Sequence, residues 1–121
     1  MNVTILKSKL HNAVVTGTNN HYEGSIVVDE ALMEEVGLIP FEKVLVANSN
    51  TGDRFETYVI KGARGSGAIE LNGATARLGS TGDRVIIFAF AAMPEAEAQV
   101  YSPKIVLLDE NNQVVRRSFA A

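Results

Sequence analysis

Short apolar segments separated by turn residues constrain the fold of this chain most strongly. The longest uninterrupted apolar run, Val85–Met93, has nine residues, whereas a helix that spans a bilayer needs about 20. Apolar or alternating segments of about four to eight residues, bounded by Gly, Asn, Asp and Ser, are typical of β-strands. The pattern therefore predicts a mainly β protein that does not cross a membrane, with Val85–Met93 as a buried strand.

The local patterns predict six to eight short strands and two short helices. Asp29 as an N-cap and Gly37 as a C′ residue predict a helix over 30–36, and Pro94 opens a second helix through Gln99. Neither helix is long enough for a usual βαβ crossover, so a closed or nearly closed small barrel best hides the strand edges. The predicted strands are Val3–Val15 (one long bent strand or two), Ser25–Val28, Lys43–Ala47, Arg54–Ile60, Ala68–Leu71, Arg84–Phe90, Ile105–Leu108 and Val114–Val115, and the predicted turns are Thr16–Asn20, Asn48–Asp53 and Gly62–Gly67.

Length and composition exclude several classes of protein. The 121 residues correspond to a single domain, 1–121, at about 100–200 residues per domain. The chain lacks cysteine, which excludes disulfide frameworks, thiolate metal sites and cysteine nucleophiles. Its two histidines lie ten positions apart without a zinc-site spacing, and its net charge of −3 argues against a nucleic-acid partner. The segment Met1–Lys9 lacks the apolar stretch of a signal peptide, which is compatible with an intracellular protein.

Two glycine motifs have ordinary and special interpretations. The segment Gly62–Gly67 resembles a phosphate-binding loop in its glycine content, but it lacks the Gly-Lys-Ser/Thr ending and no long helix follows it, so a plain loop is favoured. The sequence Thr-Gly-Asp-Arg occurs at 51–54 and again at 81–84, each time before a predicted strand. The repeat indicates two turns of similar chemistry or a duplicated strand-turn-strand unit.

The pair Gly24–Ser25, within His21-Tyr22-Glu23-Gly24-Ser25, also has two interpretations. Local chemistry alone favours a polar turn that enters a strand. However, a serine hydroxyl can attack the carbonyl carbon of the preceding residue, and a glycine there leaves the approach open and tolerates strained dihedral angles. Elimination of the resulting ester leaves dehydroalanine at position 25, which hydrolyses to a pyruvoyl group and ammonia. This hypothesis predicts cleavage between residues 24 and 25.

Six motifs together closely resemble the aspartate 1-decarboxylase family, pyruvoyl enzymes that make β-alanine for pantothenate. The resemblance runs from about residue 4 to residue 117. It implies a closed six-stranded double-psi β-barrel with short helices, a homotetramer with active sites between neighbouring subunits, residence in the cytoplasm and, in some members, a helper protein for maturation. The motifs are Lys9-Leu10-His11, His21-Tyr22-Glu23-Gly24-Ser25, Arg54-Phe55-Glu56-Thr57-Tyr58, Arg64-Gly65-Ser66, Asn72-Gly73-Ala74 and Gly82-Asp83-Arg84-Val85-Ile86-Ile87.

The resemblance also implies roles for individual residues. It makes Ser25 the precursor of the pyruvoyl group, Gly24 the end of the short chain, and Thr57 the residue that assists the backbone rearrangement. Tyr58 becomes the proton donor after decarboxylation. The remaining implied roles are substrate binding by Lys9, Arg54, Asn72, Gly73 and Ala74, with His11 and Tyr22 nearby in unassigned roles, and residues 118–121 as a flexible tail.

Physical chemistry agrees with most of these roles. Aspartate carries two carboxylates, and an arginine fork binds one of them bidentately, as lysine cannot. Arg54 and Tyr58 share a face of the predicted strand, whereas Thr57 points to the opposite face unless the strand is twisted or bulged. Thr75 is a departure, since the family pattern has Ala at this position. Pyridoxal phosphate is not expected, because the chain is short for its usual folds and shows no phosphate cup.

Two other functions compete with the decarboxylase: a non-catalytic β-barrel binding or adaptor module, and a barrel that binds nucleic acid. The acidic charge argues against the second. The set Gly24, Ser25, Arg54, Thr57 and Tyr58 favours the enzyme over the adaptor, because a binding module does not need these residues together.

Overall fold

The computed structural model describes residues 1–21 and 24–118, and this part of the chain is mainly β, as predicted. A 3₁₀ helix at Gly73–Arg77 adds to two short α-helices, α1 (Glu30–Val36) and α2 (Glu95–Ala98). The strands are β1 (Asn2–Val14), β2 (Gly17–Asn19), β3 (Ser25–Asp29), β4 (Lys43–Asn48), β5 (Arg54–Gly62), β6 (Ile69–Asn72), β7 (Arg84–Pro94), β8 (Lys104–Leu108) and β9 (Val114–Ser118).

The described strands form one sheet in the order β2-β6-β3-β5-β4-β7-β1-β8-β9. Three pairs are parallel, β2 with β6, β3 with β5 and β1 with β8, and the other neighbours are antiparallel. This mixed pairing shows that the chain crosses over repeatedly without long helices. In the described residues the order has two ends, β2 and β9, so the closed six-stranded double-psi barrel stays a prediction.

The long first strand is continuous and bent, one of the two alternatives that its sequence allowed. Its pairing with β7 shifts register between Leu6 and Ser8 and again between Leu10 and Ala13. Asn12, inside the second shift, has a φ of 67°, a conformation that asparagine tolerates better than most residues. These bulges let one strand of 13 residues pair with β7 along one edge and β8 along the other.

The prediction of a turn over Thr16–Asn20 is wrong for its central residues. Gly17–Asn19 form β2 and pair in parallel with Glu70–Asn72 of β6. Backbone hydrogen bonds to a partner strand some 50 residues away outweigh the turn preference of Gly, Thr and Asn. Local composition carries no information about that partner.

Helix α1 begins and ends where its sequence predicts. The side chain of Asp29 accepts a hydrogen bond from the Ala31 amide at 2.8 Å. Gly37 ends the helix with a φ of 71°, which glycine adopts without a steric cost. Its apolar stripe is buried and belongs to a core cluster that also takes in side chains of β1 and of β3 to β8. Among the described residues, no helix is both long and apolar enough to cross a membrane.

The glycine loop after β5 is tied to the same Asp29. Its carboxylate accepts from the Gly65 amide at 3.0 Å and from the Gly67 amide at 2.8 Å. Burial acts to raise the pKa of Asp29, but the amides of Gly67, Gly65 and Ala31 outweigh it and hold the pKa below its usual range. Because these loop amides bind a carboxylate of the chain itself, they do not form a phosphate cradle.

Candidate active site

Ser25 is the first residue of β3 and lies between two neighbouring strands. It pairs with Asn72 of β6 on one side, and on the other side the next residue, Ile26, pairs with Val59 of β5. Ser25 is 2% exposed. Ser25 is therefore buried where the chain enters the sheet, and Gly24 beside it is half-buried.

A segment of small residues lies beside this junction. A Cβ placed on Gly24 would lie 3.9 Å from the amide nitrogen of Ala74 and 4.0 Å from the carbonyl oxygen of Asn72, so that backbone passes close to Gly24. Gly73 is buried and has a φ of 64°, a conformation that requires glycine or strain. The structure therefore brings Gly24, Ser25, Asn72, Gly73 and Ala74 together.

Asn72 carries a buried acceptor at this place. Its side-chain oxygen Oδ1 is buried and has no hydrogen-bond partner among the described residues, although leaving such an atom unsatisfied costs about 1–3 kcal/mol. A pyruvoyl group on residue 25 fits here, because it has one heavy atom fewer than the serine that it replaces. The open acceptor on Asn72 suits an N–H or O–H group of a bound ligand.

Thr75 contacts the junction and was not among the predicted site residues. Its hydroxyl Oγ1 lies 2.7 Å from the carbonyl oxygen of Asn72 and 3.2 Å from the carbonyl oxygen of Ser25, and the residue is 7% exposed. The sequence signal was its departure from alanine, which carried no indication of a contact with residue 25.

Thr57 and Tyr58 lie on β5, next to β3. Tyr58 immediately precedes Val59, the partner of Ile26, so it lies at the level of Ser25 on the neighbouring strand. The pairing of β5 with β4 shows no register shift from Arg54 to Tyr58. Thr57 and Tyr58 therefore point to opposite faces, Tyr58 with its ring 6.2 Å from that of Phe41 and Thr57 on the face of the buried Val59.

Arg54 lies apart from Ser25 in the single chain. It begins β5, four residues from Tyr58, which corresponds to about 13 Å along a strand. Arg54 lines a cavity of about 590 Å³ together with Thr4, Lys43 and Phe90. The residues that line this cavity do not include Ser25 or the segment 72–74.

Lys9 also lies apart from Ser25, on β1. It lines a smaller cavity of about 170 Å³ with His11 and Arg116, and its ammonium lies 6.0 Å from the centre of the Phe88 ring. Burial and then the positive charges of Lys9 and Arg116 lower the pKa of His11. The cavity is therefore cationic and suits a carboxylate, and the residues that line it do not include Ser25.

The structure describes the predicted tail only in part and Tyr22 not at all. Tyr22 lies outside the described residues, as do positions 119–121 of the predicted tail, while Ser118 is the last residue of β9.

Over residues 1–21 and 24–118, no group of three or more His, Asp or Glu side chains could hold a metal ion.

The fold and the site together define a class of protein: a small mainly β chain whose candidate active site surrounds a Gly–Ser junction with a buried serine. The family model described as aspartate decarboxylase matches residues 1–115. Curated proteins named aspartate 1-decarboxylase are also similar over nearly their whole length. The protein from Caldicellulosiruptor saccharolyticus is 54% identical over 98% of this chain and 92% of its own length, and the protein from Pelotomaculum thermopropionicum is 56% identical over 95% and 87%.

The aspartate 1-decarboxylase of Shouchella clausii is 55% identical over 93% of this chain and 88% of its own length. These matches therefore cover nearly all of the described fold. The chain belongs to the aspartate decarboxylase family.

Proposed function

We propose that this protein converts L-aspartate to β-alanine and CO₂ for pantothenate biosynthesis, with a pyruvoyl group formed from Ser25. The observation that carries the proposal is the Gly24–Ser25 junction in a chain of the aspartate decarboxylase family: Ser25 is buried and pairs with Asn72, and the backbone of Asn72–Ala74 passes close to Gly24. The relatives named aspartate 1-decarboxylase support the reaction and the substrate.

Maturation begins with the Ser25 hydroxyl. Its oxygen bonds to the carbonyl carbon of Gly24, the Gly24–Ser25 amide bond breaks, and the nitrogen of residue 25 takes up a proton to become an amine. Residue 25 then loses its α-proton to water, and the bond between its Cβ and Oγ breaks, so that Gly24 leaves as a carboxylate. The dehydroalanine that remains takes up water and releases ammonia. Thr57 assists the first step by donating a hydrogen bond to the Gly24 carbonyl.

The pyruvoyl group would supply a carbonyl that condenses with the substrate amine and takes up the electron pair left behind when CO₂ departs. The side chains of this protein bind and orient the substrate around it. Arg54 and Lys9 bind the two carboxylates, Arg54 through its bidentate fork. Asn72 supplies a polar anchor through its open acceptor, and Gly73 with Ala74 leaves room for the substrate.

Tyr58 donates the proton that replaces the lost carboxylate. Its position at the level of Ser25 on the neighbouring strand supports this role. A phenol O–H placed beside the reacting carbon can act as the general acid for this step.

The proposal includes a homotetramer with active sites between subunits, in which Arg54 and Lys9 reach the Ser25 site of a neighbouring subunit. The separation of Arg54 and Lys9 from Ser25 within one chain supports such an assembly, because a neighbouring subunit can bring the missing cations. Large exposed apolar side chains, among them Ile39, Phe41 and Val100 at 65%, 75% and 78% exposure, support subunit contacts. The proposal also includes cytoplasmic residence and, where maturation is slow, a helper protein.

The test is the production of β-alanine from L-aspartate by the purified chain after warm incubation, with Ser25→Ala as the matched control. The proposal expects β-alanine and CO₂ in equal amounts from the parent protein. Ser25→Ala should stay inactive, because it lacks the attacking oxygen. A parent protein that has split at residue 25 but forms no β-alanine would refute the proposed reaction and would favour an adaptor module.

A further inference from the structure

The hydroxyl of Thr75 reaches the carbonyl oxygen of the residue that is converted during maturation. Thr75 lies in the 3₁₀ helix after β6, three positions beyond Asn72. Its Oγ1 is within hydrogen-bonding distance of two carbonyl oxygens, 2.7 Å for Asn72 and 3.2 Å for Ser25. Both contacts are buried.

A hydroxyl has one proton to donate, so the two oxygens share it. In the unprocessed chain the Thr75 hydroxyl donates mainly to the nearer oxygen, the carbonyl oxygen of Asn72. The longer contact gains strength only when Ser25 O becomes more negative, because hydrogen bonds to charged acceptors are shorter and stronger than neutral ones. The arrangement is therefore selective for a state in which negative charge accumulates on Ser25 O.

The elimination step produces that state. When residue 25 of the ester loses its α-proton to water, the electron pair left on Cα delocalises onto the carbonyl oxygen of residue 25. The pair then returns to form the Cα–Cβ double bond as the Cβ–Oγ bond breaks and Gly24 leaves as a carboxylate. Ester formation, by contrast, places negative charge on the carbonyl oxygen of Gly24. Donors to the two oxygens therefore act on different steps.

We propose that Thr75 accelerates the elimination step of maturation by donating its hydroxyl proton to the carbonyl oxygen of residue 25. The inference rests on the proposed function, since it requires the Gly24–Ser25 ester. It assigns Thr75 to elimination, whereas Thr57 is assigned to ester formation. After maturation the same oxygen belongs to the amide beside the pyruvoyl carbonyl, so the Thr75 hydroxyl remains next to that group.

The decisive variant is Thr75→Val, which keeps the branched shape and removes the hydroxyl. Loss of one donor to a developing oxyanion commonly slows a reaction by about 10²–10³-fold. Because this donor is shared with Asn72, we expect elimination to slow by about tenfold. The ester should therefore accumulate. Thr75→Ser keeps the hydroxyl and should mature within about twofold of the parent rate.

The ester is measured by quenching maturation at intervals and treating each sample with hydroxylamine. Hydroxylamine cuts the ester and releases a large chain that begins with serine, heavier by one ammonia than the pyruvoyl chain. Intact mass spectrometry separates the two products and the uncut chain. Thermal unfolding of each variant checks that it is folded, and Thr75→Ala replaces the valine variant if that protein does not fold.

The inference is overturned if Thr75→Val matures at the parent rate without accumulating ester. It is also overturned if the uncut amide accumulates instead, since the hydroxyl would then act on ester formation, or if Thr75→Ser matures as slowly as Thr75→Val. A parent chain that never cuts at Gly24–Ser25 would refute the proposed function itself, so the two failures are distinguishable.

Discussion

Replacement of Asp29 by alanine should destabilise the protein by about 2–4 kcal/mol. The substitution removes the N-cap of α1, which costs about 1 kcal/mol. It also leaves the buried Gly67 amide without its acceptor at 2.8 Å, at a cost of about 1–3 kcal/mol. The Gly65 amide is in an exposed part of the loop and can bind water instead. The expected loss is a large fraction of the stability of an ordinary domain, about 5–15 kcal/mol.

The same carboxylate should make stability depend on pH. Its pKa is lowered in the folded protein because the amide hydrogen bonds outweigh burial. The contribution of Asp29 is therefore complete above its unfolded pKa of about 3.9 and is lost as the pH falls through the lower folded value. The difference between the parent protein and Asp29→Ala should accordingly shrink from pH 7 towards pH 3.

Urea unfolding measures both effects. The Ser25→Ala background keeps each sample as one uncut chain, and equal protein concentrations keep any subunit assembly comparable. Asp29→Asn is the matched control, because it retains an oxygen for the helix cap and should lose less than alanine at pH 7. A loss below about 0.5 kcal/mol for Asp29→Ala, or a loss that does not change with pH, would refute this account of the loop.

Four substitutions and one control substitution test the rest of the account. Thr57→Val should slow or stop cleavage on a denaturing gel, and cleavage at the parent rate would contradict its role. Tyr58→Phe should still cut but lose about 10²–10⁴-fold in kcat, whereas an unchanged kcat would contradict a proton donor. Arg54→Lys should fold yet turn over aspartate poorly, and equal kcat/KM for alanine and aspartate in the parent would contradict carboxylate recognition. Gly79→Ala places a methyl group 2.7 Å from a core leucine atom and should lower the Tm by overpacking; Gly17→Ala, whose nearest neighbour would lie at 3.5 Å, should leave the Tm nearly unchanged.

The sequence predicts the local part of this fold well. Asp29 and Gly37 bound α1 as predicted, because capping depends on residues within a few positions of the helix end. The two other hydrogen bonds of Asp29 could not be predicted, since Gly65 and Gly67 lie 36 and 38 positions away. Strand β2 was missed for the same reason, because its partner β6 is distant in sequence.

The candidate site shows the same division between local and long-range information. The chemistry of a Gly–Ser pair follows from the two residues alone, but local reasoning favours a plain turn, and the family resemblance was needed to select the enzyme. The contact of Thr75 with Ser25 depends on the pairing of β3 with β6, which no local pattern reports. The separation of Lys9 and Arg54 from Ser25 likewise follows from strand order, not from spacing.

Intact mass spectrometry of the purified parent protein tests the central claim most directly. The account predicts two chains after warm incubation, one of residues 1–24 and one that begins at residue 25 and is lighter by one ammonia than a chain with a free N-terminal serine. Ser25→Ala should remain a single chain under the same conditions. A parent protein that stays at full-length mass after prolonged incubation with a maturation helper, or that splits to leave an unmodified serine, would contradict the account.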